Sequence, residues 1–171
     1  MMMLYEPKID ERYELWDNSI LLMEPSGPEH EAIAANLFAV VTTHVRRHRL
    51  GKVFGSNTAV YLHGDLQLRD FVMPDLTFLR AEKLNLVVPS KGIYGVPDCV
   101  VEIVSPGRIN VERDQIRKYQ LYERCGVPEY WIVHPYDQSL RMYILRDGAY
   151  REIAESVILN GLVMGPSDLF E

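Results

Sequence analysis

Two acidic residues stand alone on strand faces that are otherwise free of charge. Residues 71–79, FVMPDLTFL, predict a buried strand in which Asp75 is the only charge on its face. Residues 99–104, CVVEIV, predict a second buried strand in which Glu102 is the only charge on its face. A buried carboxylate is costly unless it is paired or binds a metal. If the two strands are neighbours, Asp75 and Glu102 can meet and bind a hard divalent cation such as Mg²⁺ through oxygen.

A lysine occupies the apolar stripe of a predicted helix over residues 110–125, which ends at Gly126 before Pro128. At about 100° per residue, Lys118 points toward the core, where it either extends its amine to solvent or meets a carboxylate. Asp114, one turn earlier, is one candidate partner. The stripe also contains Leu121, Tyr122 and Cys125.

A histidine enters the core side of an earlier predicted helix in its first turn. Ser26, Pro28 and Glu29 predict that the helix starts with a capping box, and it should run to about Arg49. Its inner stripe is His30, Ile33, Ala34, Leu37, Val41 and His44, with Glu31 toward the edge. A histidine in this position is either a structural hydrogen-bonding residue or part of a site, and His30 and Glu31 both remain candidates.

The elements that must position these residues form an α/β pattern. Besides the segments above, the sequence predicts a hairpin over 13–23 with a turn at Asp17-Asn18-Ser19, strands at 52–56, 58–63 and 130–133, a turn at His63-Gly64-Asp65, and a second hairpin around Asp147-Gly148. We therefore expect one domain over residues 1–171, with a mixed central sheet, two main flanking helices and hairpins near both ends.

Composition narrows the class of protein. The formal net charge of −6 argues against a strong general DNA binder, although metal-binding carboxylates contribute to that count. The obvious basic cluster is Arg46, Arg47, His48, Arg49 and Lys52, which is either a local DNA contact or a helix end that complements the dipole. Cys99 and Cys125 lie in apolar segments and make no disulfide framework. We see no signal peptide and no apolar run long enough to span a membrane, so we expect a cytoplasmic protein.

Several short motifs, in this order, resemble a known family. Pro74-Asp75 followed by Glu102-Ile103-Val104 resembles the PD…(D/E)xK signature of restriction-endonuclease-like nucleases. The Uma-type restriction endonuclease family, a bacterial branch long known as a domain of unknown function, is the closer resemblance over roughly residues 13 to 151. The fragments that carry it are Pro28-Glu29-His30, residues 72–76, Val96-Pro97-Asp98, residues 101–106, the series Asp114, Lys118 and Tyr122, and residues 126–133.

The chain departs from the superfamily signature at one position. Val104 stands where the signature places its lysine, two residues after the glutamate. The branch resembles other members in which the lysine has moved to the following helix, and Lys118 is where it would lie.

The resemblance implies a restriction-endonuclease-like core and hydrolysis of DNA phosphodiester bonds with Mg²⁺ or Mn²⁺. Asp75 and Glu102 would be metal ligands with the backbone carbonyl of Ile103 as a third, and Lys118 would orient water or stabilise negative charge. His30 would be an outer ligand or contact the scissile phosphate, and Glu31 would lie behind it. Asp98 and Asp114 would lie behind the metal ligands as loop or supporting residues. Asp98, which follows Pro97, is more simply explained as a turn residue.

Two other readings fit the same residues. Asp75 could cap a turn after Pro74 while Glu102 pairs structurally with Lys118, which would make the chain a catalytically silent binding or scaffold protein with a nuclease fold. A phosphoesterase acting on small nucleotides is the weaker reading and would need a closed pocket. A homodimer would suit duplex cleavage.

Overall fold

The structure is a computed structural model that describes residues 12–16, 19–23, 25–64, 70–105 and 111–171, without the side chains of 111–114. In chain order, the strands are β1 (Tyr13–Trp16), β2 (Ser19–Leu22), β3 (Gly51–Gly55), β4 (Val60–Tyr61), β5 (Leu76–Arg80), β6 (Val87–Val88), β7 (Gly92–Tyr94), β8 (Cys99–Ile103), β9 (Glu129–His134), β10 (Ser139–Arg146) and β11 (Ala149–Ile153). The helices are α1 (Pro28–His48), α2 (Val111–Cys125) and α3 (Pro166–Phe170), and a short 3₁₀ helix spans Ala81–Leu86.

A six-stranded mixed sheet in the order β11-β10-β9-β8-β5-β3 forms the centre of the fold. Its β8 and β9 strands are parallel, and the other neighbouring pairs are antiparallel. The parallel pair needs a crossover connection, and the chain between these two strands contains α2. The mixed α/β architecture predicted from the sequence is therefore confirmed.

The sheet has an apolar core on each face, and each core includes one of the two main helices. Ile33, Leu37 and Val41 of α1 belong to the core that contains Val101 of β8. Leu121 and Tyr122 of α2 belong to the core that contains Val100. Because side chains alternate along a strand, Glu102 lies on the same face as Val100, toward α2. The sheet thus places this carboxylate under the helix that carries Lys118.

The start of α1 differs in detail from the prediction. The N-cap residue is Gly27, no side chain caps the helix, and Pro28 occupies the first turn. The capping box predicted from Ser26 and Glu29 is therefore wrong, because the helix begins one residue later than a Ser26 cap requires. The inner stripe is as predicted, with His30, Ile33, Leu37, Val41 and His44 buried.

The predicted strand over residues 71–79 is broken at Pro74. Strand β5 begins only at Leu76, whereas Phe71 and Val72 form isolated bridges to Leu15 and Val60. Proline lacks the N–H group that a ladder requires, which accounts for the break. Asp75 therefore lies at a bend directly before β5, and the prediction that it lies within a regular strand is wrong.

Smaller elements complete the fold. The turn at Asp147-Gly148 joins β10 to β11 as predicted, with both residues at positive φ (52° and 76°). The turns predicted at Asp17-Asn18-Ser19 and His63-Gly64-Asp65 fall partly outside the described residues. The strand predicted at 52–56 is found one residue earlier as β3, and the strand predicted at 58–63 is found as the shorter β4. The small sheet β4-β7-β6 and helix α3 were not predicted as units. Within the described part of the chain, none of the helices has the length and apolar character that crossing a membrane requires.

Candidate active site

Asp75 is held at the bend before β5 by a backbone contact from the neighbouring strand. The N–H of Ile103, in β8, donates to Oδ2 of Asp75 at 2.7 Å. Nε2 of His30 lies 3.4 Å from the same oxygen. Both contacts fall on Oδ2, so among the described residues Oδ1 has no hydrogen-bonding partner. The side chain is 12% exposed, so this oxygen remains within reach of a small ligand.

Glu102, the second-last residue of β8, has hydrogen-bond partners on both of its carboxylate oxygens. Nζ of Lys118 lies 3.0 Å from Oε1 and 3.0 Å from Oε2. The hydroxyl of Tyr122, one turn further along α2, donates to Oε1 at 2.6 Å. The predicted inward stripe of α2 therefore brings Lys118 and Tyr122 onto the carboxylate of Glu102.

Lys118 has a second carboxylate partner, and it comes from the N-terminal hairpin. Oε1 of Glu14 lies 3.1 Å from Nζ of Lys118 and also accepts a hydrogen bond from the N–H of Met73 at 2.8 Å. Glu14 is fully buried, whereas Lys118 is 12% exposed. The side chain of Asp114, the partner considered from the sequence, lies outside the described residues.

The sequence reading missed Glu14, although the signal that found Asp75 and Glu102 was present. Glu14 and Trp16 share one face of the four-residue strand β1, and both are buried. Glu14 is thus a lone charge beside a large apolar residue. A four-residue strand shows too little alternation for a lone charge in it to stand out as clearly as in β8.

His30 and Glu31 take different positions. His30 is buried, with 4% of its side chain exposed, whereas Glu31 is 63% exposed and lies 3.5 Å from Nδ1 of His30. Burial alone would lower the pKa of His30, but the hydrogen bond and negative charge of Asp75 outweigh burial and raise it above its usual value. Of the two candidates in α1, His30 is the one that contacts Asp75.

The electrostatics of the cluster are dominated by burial. Burial raises the pKa of Glu102 to about 7, and the negative charges of Asp75 and Glu14 act in the same direction, against the opposing effects of Lys118 and Tyr122. Burial alone would lower the pKa of Lys118, but the charges of Glu102 and Glu14 outweigh it and raise that pKa. The ammonium of Lys118 is therefore firmly charged, while Glu102 binds a proton more readily than an exposed glutamate.

These groups border one cavity of about 110 Å³. Glu14, His30, Asp75, Glu102 and Lys118 all line it, and Leu21, Met23 and Ser26 also contribute. Oε2 of Glu14 and the hydroxyl of Tyr130 are buried without a hydrogen-bond partner among the described residues. The cavity thus has polar groups whose bonding capacity is not met by the described protein groups.

The donor set suits a hard cation, with one qualification from geometry. Three carboxylates face one lysine and one histidine. When all three carboxylates are ionised, negative charge exceeds positive charge by two, or by one if His30 is protonated. In the described residues, however, no cluster of three or more His, Cys, Asp or Glu side chains is arranged to hold a metal ion. Asp75 and Glu102 are the carboxylates that could hold a divalent ion, and backbone or water oxygens would have to complete its coordination. Lys118 would have to release one oxygen of Glu102.

Asp98 lies in a separate ion-pair group. It accepts a hydrogen bond from the N–H of Arg80 at 2.9 Å and lies 3.0 Å from Nζ of Lys83. These contacts fix the junction between β5 and the 3₁₀ helix, and Asp98 does not line the cavity.

Comparison with known proteins places the chain in a family. The Uma2 family, described as "Putative restriction endonuclease", matches residues 4–163, which is most of the chain. The chain belongs to this family. Among solved structures, a protein from Anabaena variabilis ATCC 29413 described as a "putative nuclease belonging to DUF820" is similar, with a TM-score of 0.74 and 16% sequence identity over 96% of this chain and 93% of that one. At this identity the likeness shows a shared fold. No curated protein matches the chain by sequence.

Proposed function

We propose that the chain is an endonuclease that hydrolyses DNA phosphodiester bonds with Mg²⁺ or Mn²⁺ as cofactor, on the PD-(D/E)xK pattern. The observation that carries the proposal is the meeting of Asp75, Glu102 and Lys118 at one cavity, although they come from a bend, a strand and a helix. Membership of a family described as a restriction endonuclease supports the class of reaction. Lys118 takes the role of the lysine that the signature would place at Val104.

Asp75 and Glu102 would hold the cation, and the backbone carbonyl of Ile103 would be the third protein ligand. A bound divalent ion lowers the pKa of water and neutralises phosphate oxygens. The N–H of the same residue, Ile103, holds Asp75 at 2.7 Å, which keeps the two ligand positions in register across β5 and β8.

Lys118 and Tyr122 would leave the two oxygens of Glu102 with different numbers of hydrogen-bond donors. Tyr122 donates to Oε1 alone, whereas Lys118 contacts both oxygens. Oε2 can therefore be given up to a cation while Oε1 stays hydrogen-bonded. The ammonium then has donors left to orient water or to stabilise charge that develops on the phosphate.

His30 would orient Asp75 through their 3.4 Å contact. Because its pKa is raised, His30 also carries positive charge over more of the neutral range than an exposed histidine does. In that form it could contact the scissile phosphate, with the exposed Glu31 behind it.

A catalytically silent binding or scaffold protein is the second candidate. Two observations favour it: Lys118 already contacts both oxygens of Glu102, and the net charge of −6 disfavours general DNA binding. In that case the buried ion pairs would be structural, and adding metal would change nothing.

We further propose that DNA is the substrate, that no membrane is involved, that the protein acts in the cytoplasm, and that it works as a homodimer. Two-fold symmetry would present two sites to a duplex. Sedimentation with and without a short duplex tests the last point, and a monomer under both conditions would contradict it.

Nicking of a supercoiled plasmid tests the central proposal. We expect nicking with Mg²⁺ or Mn²⁺, none with chelator, and a loss of at least about 100-fold in rate for Asp75→Ala and Lys118→Met. Titration calorimetry with Mn²⁺ should show binding that Asp75→Ala and Glu102→Ala remove.

The matched control is Glu152→Gln, in the edge strand β11, three strands from β8 in the sheet. Purified in the same way, it should nick like the unchanged protein, which shows that the losses in the site variants do not come from a change of surface charge alone. Absence of both nicking and Mn²⁺ binding in the folded, unchanged protein would favour the scaffold reading instead.

A further inference from the structure

The N-terminal hairpin supplies a buried carboxylate that the proposed reaction does not use. Glu14 of β1 has none of its surface exposed and lines the cavity with Asp75 and Glu102. Leaving a charged side chain in this position without a role is costly. Its contacts run to two different parts of the site.

The first contact reaches the segment that carries Asp75. Oε1 of Glu14 accepts the N–H of Met73 at 2.8 Å, two residues before Asp75. The next residue of β1 reinforces this attachment, because the backbone of Leu15 exchanges hydrogen bonds of 3.0 and 2.6 Å with that of Phe71. The hairpin therefore fixes the segment that leads to Pro74 and the bend at two points, Phe71 and Met73.

The second contact reaches Lys118. Nζ of Lys118 lies 3.1 Å from Oε1 of Glu14 and 3.0 Å from each oxygen of Glu102. The ammonium is thus shared between a carboxylate that would bind metal and one that would not. Without Glu14, the ammonium would have Glu102 as its remaining carboxylate partner among these contacts.

We propose that Glu14 is a positioning residue, which shares the ammonium of Lys118 with Glu102 and holds the segment leading to Asp75 against the site. This rests on the proposed function. Because Glu14 retains part of the attraction on the ammonium, Lys118 can release one oxygen of Glu102 to a cation at lower cost. The hairpin thereby becomes part of the site.

The contacts favour positioning over metal ligation. Oε1 of Glu14 already accepts from two donors, and among the described residues no three acidic, histidine or cysteine side chains form a metal cluster.

Glu14→Gln separates the charge from the backbone contact, because an amide oxygen still accepts the N–H of Met73. We expect Mn²⁺ binding to weaken about 10-fold and kcat to fall by a similar factor, with KM for DNA within about twofold. Glu14→Ala should also leave the Met73 N–H unpaired and lower the melting temperature further. Glu152→Gln is again the matched control.

A second readout needs neither metal nor activity. In the metal-free protein, Lys118 should be acylated several times faster by an amine-directed reagent in Glu14→Gln than in the unchanged protein, measured by peptide mass mapping. Acylation requires the neutral amine, and Lys118 loses its proton more readily beside one carboxylate than beside two. Lys83, paired with Asp98, is the internal reference and should not change.

The outcomes separate the two proposals. Unchanged Mn²⁺ affinity or unchanged Lys118 acylation in a folded Glu14→Gln protein would overturn the positioning role. If Glu14→Gln does not fold while Glu14→Asp does, Glu14 is purely structural, which also overturns it. If the unchanged protein binds no metal and nicks no DNA, the endonuclease proposal fails, and faster Lys118 acylation would still support the shared ion pair.

Discussion

The site residues differ most in how many partners each one has. Asp75 keeps one carboxylate oxygen without a hydrogen bond in the described structure, whereas both oxygens of Glu102 are engaged. In the proposed cation site, Asp75 would offer this oxygen, and Glu102 would have to give up one of its contacts with Lys118. Because the carboxylates are buried, both contacts depend strongly on the charge of their partners.

Glu102 should give the stability of the metal-free protein a distinct pH dependence. Its pKa is raised from 4.5 to about 7 on folding, so the stability that its protonated form contributes is fully present below pH 4.5 and is lost as the pH rises through about 7. Relative to Glu102→Gln, the unchanged protein should therefore lose up to about 3 kcal/mol between pH 4.5 and 8. Urea unfolding at several pH values measures this difference, and a difference that is flat or rises with pH would contradict it.

At the scale of elements, the site lies where regular structure stops. Pro74 ends the bridged segment at 71–72, and Asp75 is placed by the bend before β5 begins at Leu76. Strand β8 and helix α2 are regular by contrast, and they hold Glu102 and Lys118 at fixed positions. Regular backbone hydrogen bonding therefore positions Glu102 and Lys118. Asp75, at the bend, and Glu14, in the hairpin, are positioned by individual contacts.

Position 51, where the chain passes from α1 into the sheet, should not tolerate a side chain. Gly51 opens β3 at φ +156°, and a Cβ there would lie 1.9 Å from the backbone oxygen of Leu79. Gly148 also has positive φ, at +76°, but a Cβ there would meet nothing within 4 Å. We expect Gly148→Ala to cost about 1 kcal/mol of unfolding free energy and Gly51→Ala clearly more, since strain and collision add. Chemical denaturation measures the unfolding free energy of both variants. Equal losses in the two variants would contradict the predicted steric clash at position 51.

At the scale of the molecule, the net charge of −6 disfavours a DNA substrate unless positive charge is concentrated locally, as it is at the end of α1. The exposed Arg46 and Arg47 are in the last turn of α1, whereas His30 is in its first turn. At 1.5 Å per residue, about 25 Å separates Arg47 from the site, which exceeds the screening length at physiological salt. Because it lies in the last turn of α1, the basic cluster complements the helix dipole.

Removing this basic cluster should affect stability more than cleavage. We expect Arg46→Ala/Arg47→Ala to change nicking less than twofold and to lower the unfolding free energy by a few tenths to about 1 kcal/mol through the helix dipole. Plasmid nicking over a range of salt concentrations, together with thermal unfolding, checks both parts. A large loss of nicking that high salt abolishes would instead make the cluster a DNA contact.

The sequence by itself determined the elements whose patterns are long and regular. The stripes of α1 and α2, the apolar strand β8 and the Asp147-Gly148 hairpin follow from periodicity and turn chemistry, which are local properties. The lone charges at Asp75 and Glu102 and the inward Lys118 followed from the same patterns. So did the family, because its motifs keep their order along the chain.

Only the tertiary structure decided which of these charges meet. The segment before Pro74 is held by bridges from Phe71 to Leu15 and from Val72 to Val60, which no local pattern specifies. Glu14 and Lys118 are 104 residues apart, so no local pattern links them. Lys118 was predicted to face the core, but its sharing between Glu102 and Glu14 arises from packing a hairpin, a strand and a helix around one cavity. Periodicity shows which side of an element is buried, and only the assembled fold determines what it is buried against.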